Sequence, residues 1–299
     1  MQMPMPAWGT RTYIMGILNV TPDSFSGDGL LGGSDHVEAA LTQAREFVRD
    51  GADILDIGGE STRPGSQPVS AYEELDRVMP VVNALVADGM VSASGSPVLL
   101  SIDTYKAQVA EAALRAGFHW VNDVWGLQAD AEMAGVAARF GAGLVLMDNR
   151  SRPENVDLQA RLGGRYTGTA YHQLLDEVKA GLLESVRRAL DAGVAREQII
   201  LDPGIGFGKT VEQNLELINH LVEIRALSYP VLLGPSRKGF IGYTLNLPPD
   251  ERLEGTTAAV AVGIARGADV IRVHDVAAMA RVARMTDAIV RKKTPDLPS

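Results

Sequence analysis

Residues Pro230–Phe240 read PVLLGPSRKGF. The segment begins with a short apolar run, Val231–Leu233, and continues to a hydroxyl and two cations at Ser236, Arg237 and Lys238. Apolar runs of this length are typical of strands that are buried on both faces of a sheet. A buried strand that leads into a basic corner indicates either a solvated surface turn or a site that binds an anion. The rest of the chain distinguishes these two readings.

The same unit, a short apolar run followed by polar residues, occurs eight times. Helical patterns lie between the runs, and several of these helices are followed by a glycine, as helices commonly are. The runs recur roughly every 37 residues, the length that a parallel strand and its crossover helix require. The predicted strands are Thr12–Asn19, Asp53–Ile57, Val98–Ile102, Trp120–Asn122, Gly143–Met147, Ile199–Leu201, Val231–Leu233 and Val270–Val273.

Eight strand–helix units predict an α/β fold, a closed (β/α)8 TIM barrel that forms a single domain over residues 1–299. An open doubly wound sheet is the alternative. We expect the core to span about residues 12–291 and residues 292–299 to be a frayed tail. The clearest predicted helices are Val37–Asp50, Ala107–Ala116, Tyr171–Ala192, Thr256–Arg266 and Ala277–Arg291.

Three irregular stretches interrupt the repeating pattern, namely Thr21–Gly33, Gly58–Val69 and Asp148–Thr169. Each of them follows a predicted strand, and the first two are rich in Gly, Ser and Pro. Barrel enzymes carry their chemistry in the loops after the strands. The first two stretches therefore indicate lids that close over a substrate.

The bulk composition narrows the class of protein. The 299 residues carry a net charge of −9, which argues against broad nucleic-acid binding, so an anionic substrate must meet local positive charge. The chain has no cysteine, which excludes a disulfide framework and fits a reducing compartment. No signal-peptide pattern and no run long enough to span a bilayer are seen. We expect a cytoplasmic protein that binds neither nucleic acid nor membrane.

Polar residues stand at or just beyond the ends of most of the predicted strands: Asn19, Asp103, Asn122, Asp202, Ser236, Lys238, Arg272 and His274. Asp103 and Asp202 could individually cap the helices that follow. In a closed barrel, however, the ends of all strands surround one mouth. Carboxylates, an amide and cations that converge there indicate a binding site rather than a set of unrelated caps.

The chemistry of these side chains divides them into two groups. Asp103, Asn122 and Asp202 suit a flat heterocycle with an amino-amide edge, such as a pterin or guanine, and Lys238 can bond a ring carbonyl or nitrogen. Donors suited to a phosphate or pyrophosphate are Arg63, Arg272 and His274. Asn19 offers a hard oxygen that could share Mg²⁺ with a pyrophosphate. The pattern therefore predicts a heterocycle that carries a diphosphate.

One motif is rejected. Residues Gly204–Thr210 (GIGFGKT) nearly match a phosphate-binding P-loop, but Pro203 occupies the position of the required first glycine.

With these residues assembled, the chain resembles the dihydropteroate synthase family. The motifs run in order from residue 16 to residue 275 and cover nearly the whole predicted fold. They are Gly16–Ser26 (GILNVTPDSFS), Asp56–Gly65 (DIGGESTRPG), Ser101–Thr104 (SIDT), Val121–Asp123 (VND), Leu201–Lys209 (LDPGIGFGK), Ser236–Phe240 (SRKGF) and Ile271–Asp275 (IRVHD).

The resemblance implies a transferase of folate biosynthesis. It would condense 6-hydroxymethyl-7,8-dihydropterin pyrophosphate with p-aminobenzoate, by an SN1-like path, to 7,8-dihydropteroate and pyrophosphate. It also implies a homodimer and a target of sulfonamides, which would compete at the p-aminobenzoate site.

The resemblance also implies a role for each matched residue. The pterin would be held by Asp103, Asn122, Asp202 and Lys238, with apolar contacts from Met147 and Phe207. The pyrophosphate would be held by Asn19, Arg63, Arg272 and His274, with Mg²⁺ at Asn19. The p-aminobenzoate site would comprise Phe25, Thr62, Pro64, Ser236 and Lys238. The catalytic residues would be Asp103, Asp202, Lys238 and Arg272.

Two departures from the family pattern stand out. The fifth strand ends in Met147-Asp148 where the family commonly has Met-His, which places an extra carboxylate near the mouth. The first loop reads Ser24–Gly29 (SFSGDG), so Asp28 is displaced by one position and its role is not carried over.

Two alternatives to the synthase remain open. One is a barrel of the methyltetrahydrofolate:corrinoid methyltransferase type, which has no need for the pyrophosphate ligands. The other is an inactive paralogue that binds a pterin without turnover. The acceptor could also be another arylamine.

Overall fold

The computed structural model describes residues 3–20, 33–62, 65–90, 98–167 and 171–291. Eight parallel strands form one sheet: β1 (Tyr13–Asn19), β2 (Ile54–Gly58), β3 (Leu99–Asp103), β4 (Trp120–Asp123), β5 (Gly143–Met147), β8 (Ile199–Asp202), β9 (Leu232–Leu233) and β10 (Val270–Val273). Their spatial order is β8-β5-β4-β3-β2-β1-β10-β9.

The two ends of this sheet meet. A parallel bridge joins Leu201, in β8, to Val231, just before β9, and the Leu201 amide donates to the Pro230 carbonyl at 2.9 Å. The sheet is therefore a closed barrel, and the open doubly wound alternative is excluded. All eight predicted strands are present, with ends within one residue of the prediction.

Helices surround the barrel. They are α1 (Gly33–Arg49), α2 (Ala71–Asp88), α3 (Ala107–Ala116), α4 (Met133–Phe140), α5 (Leu174–Asp191), α6 (Val211–Asn219), α7 (Leu221–Arg225), α8 (Gly239–Leu245), α9 (Leu253–Ala265) and α10 (Val276–Val290). The five predicted helices are all found, with shifts of a few residues at some ends. Helix α2 was not predicted, and it contains Pro80 near its middle, a residue that disfavours helix interiors. None of the described helices is long and apolar enough to cross a membrane.

The third irregular stretch contains structure that was not predicted. Strands β6 (Val156–Gln159) and β7 (Gly163–Tyr166) pair as an antiparallel hairpin. The hairpin packs against α8, where the Tyr243 hydroxyl donates to the Gly163 carbonyl at 3.0 Å. It therefore links the loop after β5 to the segment after β9.

The apolar core has two layers. The larger layer lies between the strands and the helices, as burial of both faces of the sheet requires. The smaller layer fills the barrel interior with Met15, Trp120 and their neighbours. The N-terminal segment covers this interior. The ring centres of Trp8 and Trp120 are 6.1 Å apart, and the Trp120 indole N–H donates to the Pro4 carbonyl at 3.2 Å. This end of the barrel is plugged, and the carboxyl ends of the strands form the opposite mouth.

Candidate active site

Arg272 crosses the barrel mouth. It lies on β10, and its Nε donates to the Asp56 carboxylate on β2 at 2.6 Å, while its Nη2 donates to Asp103 at the end of β3. Strand β1 separates β10 from β2, so the side chain reaches past a neighbouring strand. The sequence predicted Arg272 and Asp103 in separate groups, for pyrophosphate and pterin. The structure brings the two residues into direct contact.

Asp56 is a central residue of the site to which the sequence assigned no role. It is fully buried, and its Oδ2 accepts hydrogen bonds from both Arg272 and the Asn122 amide, the latter at 2.9 Å. Its Oδ1 is buried without a hydrogen-bond partner among the described residues. A charged residue inside the apolar run ILDIG was the signal that could have identified it, because such a residue is rarely buried without a partner.

Asp103 does not cap a helix. The N-cap position of α3 is Lys106, and the Asp103 carboxylate is bound by Arg272 instead. Burial raises the pKa of Asp103 to about 7, against the opposing effect of the Arg272 charge. For Arg272, burial lowers the pKa, but the two carboxylates raise it by more, and the guanidinium stays charged.

Asp202 and Lys238 form the neighbouring part of the mouth. Asp202, at the end of β8, is buried and accepts a hydrogen bond from the Gly204 amide at 2.7 Å. The Lys238 ammonium donates to the Ile205 carbonyl and lies 4.6 Å from the centre of the Phe207 ring. Burial lowers the pKa of Lys238 to about 8, while the negative charge of Asp202 opposes the shift. Burial also raises the pKa of Asp202.

Met147 and Asp148 end β5 beside this group. Met147 is buried and pairs in register with Asp202. Asp148 follows β5 as expected, but its carboxylate is buried beneath the loop after β8 rather than open to the mouth. It accepts hydrogen bonds from Lys209 and Tyr171.

The basic corner after β9 makes two contacts. Ser236 is buried, with its Oγ 3.0 Å from the His274 ring Nδ1, and it also accepts from the His274 backbone amide at 3.2 Å. Arg237 lies at the rim and forms an ion pair with Asp275. The corner is therefore connected to the end of β10, two residues beyond Arg272.

The loop after β2 starts from a buried charge cluster. The Lys106 ammonium donates to Glu60 and to Glu74, and the Tyr105 hydroxyl donates to Glu60 at 2.9 Å. Glu60 also accepts from the Val69 amide at 3.4 Å, which ties the start of the loop to its end. Thr62 lies within this loop and is partly exposed, whereas Arg63 and Pro64 fall outside the described residues. Phe25 and Asp28 also lie outside them.

Asn19 ends β1 and is partly exposed. Its side chain makes no hydrogen bond to the part of the chain that the structure describes. The same ranges contain no group of three or more His, Cys, Asp or Glu side chains that could hold a metal ion.

Comparison with known proteins identifies the family. Residues 15–274 match the family described as pterin binding enzyme. A dihydropteroate synthase from Clostridium beijerinckii is 49% identical over 285 residues, which cover 95% of this chain and 96% of that protein. The chain belongs to the dihydropteroate synthase family.

Solved dihydropteroate synthase structures share the fold. A crystal structure of the Clostridium difficile enzyme in the presence of pteroic acid gives a TM-score of 0.85 at 46% identity, covering 96% of this chain and 100% of that one. A Yersinia pestis enzyme in complex with a sulfonamide drug gives a TM-score of 0.82 at 38% identity, covering 95% and 96% respectively.

As a dihydropteroate synthase family member, the chain is a transferase. It condenses 6-hydroxymethyl-7,8-dihydropterin pyrophosphate with p-aminobenzoate to give 7,8-dihydropteroate and pyrophosphate. The relatives named above are synthases, which favours this reaction over the methyltransferase alternative.

Proposed function

We propose that the barrel mouth is the site of the dihydropteroate synthase reaction and that Arg272 joins its two halves. Strands β3 and β8 end in the acceptors Asp103 and Asp202, and Asn122 is the penultimate residue of β4. Donors lie on and beyond β9 and β10. The observation that carries the proposal is that Arg272 reaches from the donor half to Asp56 and Asp103 in the acceptor half. A substrate with a heterocycle at one end and a diphosphate at the other matches this division.

The acceptor half would bind the pterin. The Asn122 amide nitrogen donates to Asp56, which leaves the amide oxygen to accept a hydrogen bond from a ligand. One Asp202 oxygen is held by the Gly204 amide, and the other makes no hydrogen bond within the described residues. Carboxylate oxygens accept parallel N–H bonds from an amino-amide edge. Lys238 would donate to a ring carbonyl or nitrogen, and Met147 and Phe207 would supply apolar contact.

The donor half would bind the pyrophosphate through Arg272, His274, Asn19 and Arg63. Mg²⁺ fits this arrangement, because the ion typically keeps water and phosphate ligands and needs few protein oxygens. The Asn19 side chain, without a described hydrogen bond, can provide one such oxygen. When bound, the ion would neutralise charge that develops on the pyrophosphate.

The chemistry is a substitution at the pterin methylene. The bond from this carbon to the pyrophosphate oxygen breaks first, and its electron pair leaves with pyrophosphate. The ring shares the resulting positive charge, which the fixed carboxylates of Asp103 and Asp202 stabilise. The amine nitrogen of p-aminobenzoate then forms the new bond to carbon and releases a proton. The neutral amine needs positioning more than deprotonation.

The p-aminobenzoate site would lie at the rim, among Thr62, Ser236 and the stem of Lys238, with Phe25 and Pro64 from the loops. The Ser236 hydroxyl contacts His274, a proposed pyrophosphate ligand. We therefore place this hydroxyl at the boundary between the p-aminobenzoate site and the pyrophosphate site. Sulfonamides would compete at this rim; a Yersinia pestis dihydropteroate synthase has been solved in complex with a sulfonamide drug.

The test is pyrophosphate release from the pterin pyrophosphate, with Mg²⁺, in the presence and absence of p-aminobenzoate. We expect release that depends on the amine and is inhibited by a sulfonamide. Pterin binding without amine-dependent release would instead support the inactive paralogue, and methyl transfer to a corrinoid would support the methyltransferase. Replacing p-aminobenzoate by other arylamines measures the acceptor range.

We further propose that the protein is a homodimer that acts in the cytoplasm. Helices α9 and α10 pack together, and both expose apolar side chains, with Met285 63% and Ile289 67% exposed. Such a patch is typical of a protein interface. Sedimentation equilibrium of the wild type and of Ile289→Glu should show a dimer that the substitution weakens. A monomeric wild type would refute the dimer.

A further inference from the structure

Lys209, the lysine of the rejected P-loop motif, forms a buried ion pair with Asp148. The residue is 1% exposed, and its ammonium lies 3.0 Å from the Asp148 carboxylate, which is 3% exposed. Burial lowers the pKa of Lys209, and the charge of Asp148 opposes the shift. A buried ion pair of this kind is weak evidence for stability by itself, because desolvation offsets much of the attraction. A role in positioning must therefore come from what the pair holds.

The Lys209 ammonium has three N–H donors, and three acceptor atoms of the protein surround it. It donates to the Asp148 carboxylate and to the Asp148 carbonyl, both at 3.0 Å, and to the Phe207 carbonyl at 3.3 Å. The Tyr171 hydroxyl donates to the same Asp148 oxygen at 2.6 Å. Because the donors are used within the protein, Lys209 has no free N–H for a substrate phosphate.

The surrounding backbone is shaped for this pair. A Cβ at Gly204 would lie 1.9 Å from the Asp148 carbonyl, so only glycine lets the loop after β8 lie directly on the end of β5. A Cβ at Gly181, on α5, would lie 2.5 Å from Asp148 Oδ1. Two glycines on separate elements therefore make room for one carboxylate and its carbonyl.

The loop that Lys209 holds also contacts Lys238. The Ile205 carbonyl accepts from the Lys238 ammonium, and the Phe207 ring lies 4.6 Å from it. Ile205 and Phe207 thus form the wall against which Lys238 lies. The Lys209 ammonium holds this segment in place by donating to the Phe207 carbonyl.

We propose that Asp148 and Lys209 are positioning residues, which clamp the loop 203–208 onto the end of β5 so that Phe207 and Lys238 face the pterin. The inference rests on the proposed pterin role of Lys238 and extends it to a pair that touches no substrate. The departure from the common Met-His thereby has a function in this chain: Asp148 supplies the charge that holds Lys209.

The experiment compares Lys209→Met, Asp148→Asn and the double variant with the wild type. Two quantities are measured: equilibrium binding of 6-hydroxymethylpterin, and amide hydrogen exchange in peptides that cover residues 203–209. We expect each single variant to weaken pterin binding about tenfold and to speed exchange in this segment. The matched control is Lys179→Met, which removes an ion pair with Glu223 on the outer surface. Its pterin affinity should stay within about twofold of the wild type.

The double variant separates positioning from stability. Each single variant leaves one buried charge without its partner, whereas the double variant removes both charges. The midpoint of thermal unfolding should therefore be higher in the double variant than in either single variant. If the pair positions the loop, pterin binding stays weak and exchange stays fast despite that recovery. If the pair is only structural, both return to wild-type values with the midpoint, and the proposal is overturned.

Failure of this inference is distinguishable from failure of the proposed function. Wild-type exchange rates at residues 203–209 in Lys209→Met would overturn the clamp, whatever the protein catalyses. A wild type that binds no pterin would refute the proposed function, while fast exchange in the variants would still support the clamp on the loop.

Discussion

The Arg272 guanidinium and the Asp56 carboxylate form an ion pair of 2.6 Å inside the barrel mouth. Asp56 is fully buried, and it holds both Arg272 and the amide of Asn122 through one oxygen. The proposed donor for the pyrophosphate and the proposed pterin-binding amide therefore depend on the same carboxylate.

Asp56→Asn should lower kcat/KM for the pterin pyrophosphate at least about tenfold, because it removes the charge that orients Arg272. Steady-state kinetics on folded protein measure the effect. Asp53→Asn is the matched control, since Asp53 lies three residues earlier and pairs with Arg11 at the plugged end of the barrel. Equal losses in the two variants would show that the effect is general destabilisation.

The activity should depend on the protonation of Lys238. Burial lowers the pKa of this lysine to about 8, so below that pH it is an ammonium that can donate to the pterin, and above it the charge is lost. We therefore predict that kcat/KM for the pterin pyrophosphate falls as pH rises through about 8. In Lys238→Arg, whatever activity remains should lack this fall, because arginine stays charged. A wild-type profile that is flat to pH 10 would contradict the assignment.

Lys106→Met should affect the acceptor rather than the pterin. The substitution releases Glu60 and Glu74 from their shared cation at the base of the loop that contains Thr62. We expect KM for p-aminobenzoate to rise at least about fivefold, with binding of 6-hydroxymethylpterin changed less than about twofold. The same substitution at Lys179 is again the control. If the KM for p-aminobenzoate and the Kd for 6-hydroxymethylpterin rose by the same factor, the result would argue against a specific role for the cluster in the acceptor site.

Magnesium dependence tests the role of Asn19. Chelation of divalent ions should suppress turnover, and added Mg²⁺ should restore it. Asn19→Ala should raise the Mg²⁺ concentration needed for half-maximal rate by about threefold or more, since it removes one oxygen ligand. An unchanged Mg²⁺ requirement in this variant would place the ion elsewhere.

The sequence predicted the barrel strands well, because each is a short apolar run buried on both faces. It did not predict the hairpin of β6 and β7, because VDLQ alternates over only four residues and GGRY carries no apolar alternation. Residue type placed Asp103, Asn122 and Asp202 near one mouth, since parallel strands end together. It could not show that Arg272 crosses a strand to reach Asp56, because that contact joins residues far apart in the chain. The burial of Lys209 was hidden for the same reason, because its partner Asp148 follows a different strand, β5, 61 residues earlier in the chain.

The barrel mouth is the proposed site of the synthase reaction. The most direct measurement is the rate of 7,8-dihydropteroate formation by the wild type and by Arg272→Ala, side by side under saturating substrates. We predict turnover by the wild type and a loss of at least about tenfold in the variant, because the charged contact removed is worth at least ~1.4 kcal/mol. Equal rates in the two proteins would show that the chemistry does not take place at this mouth.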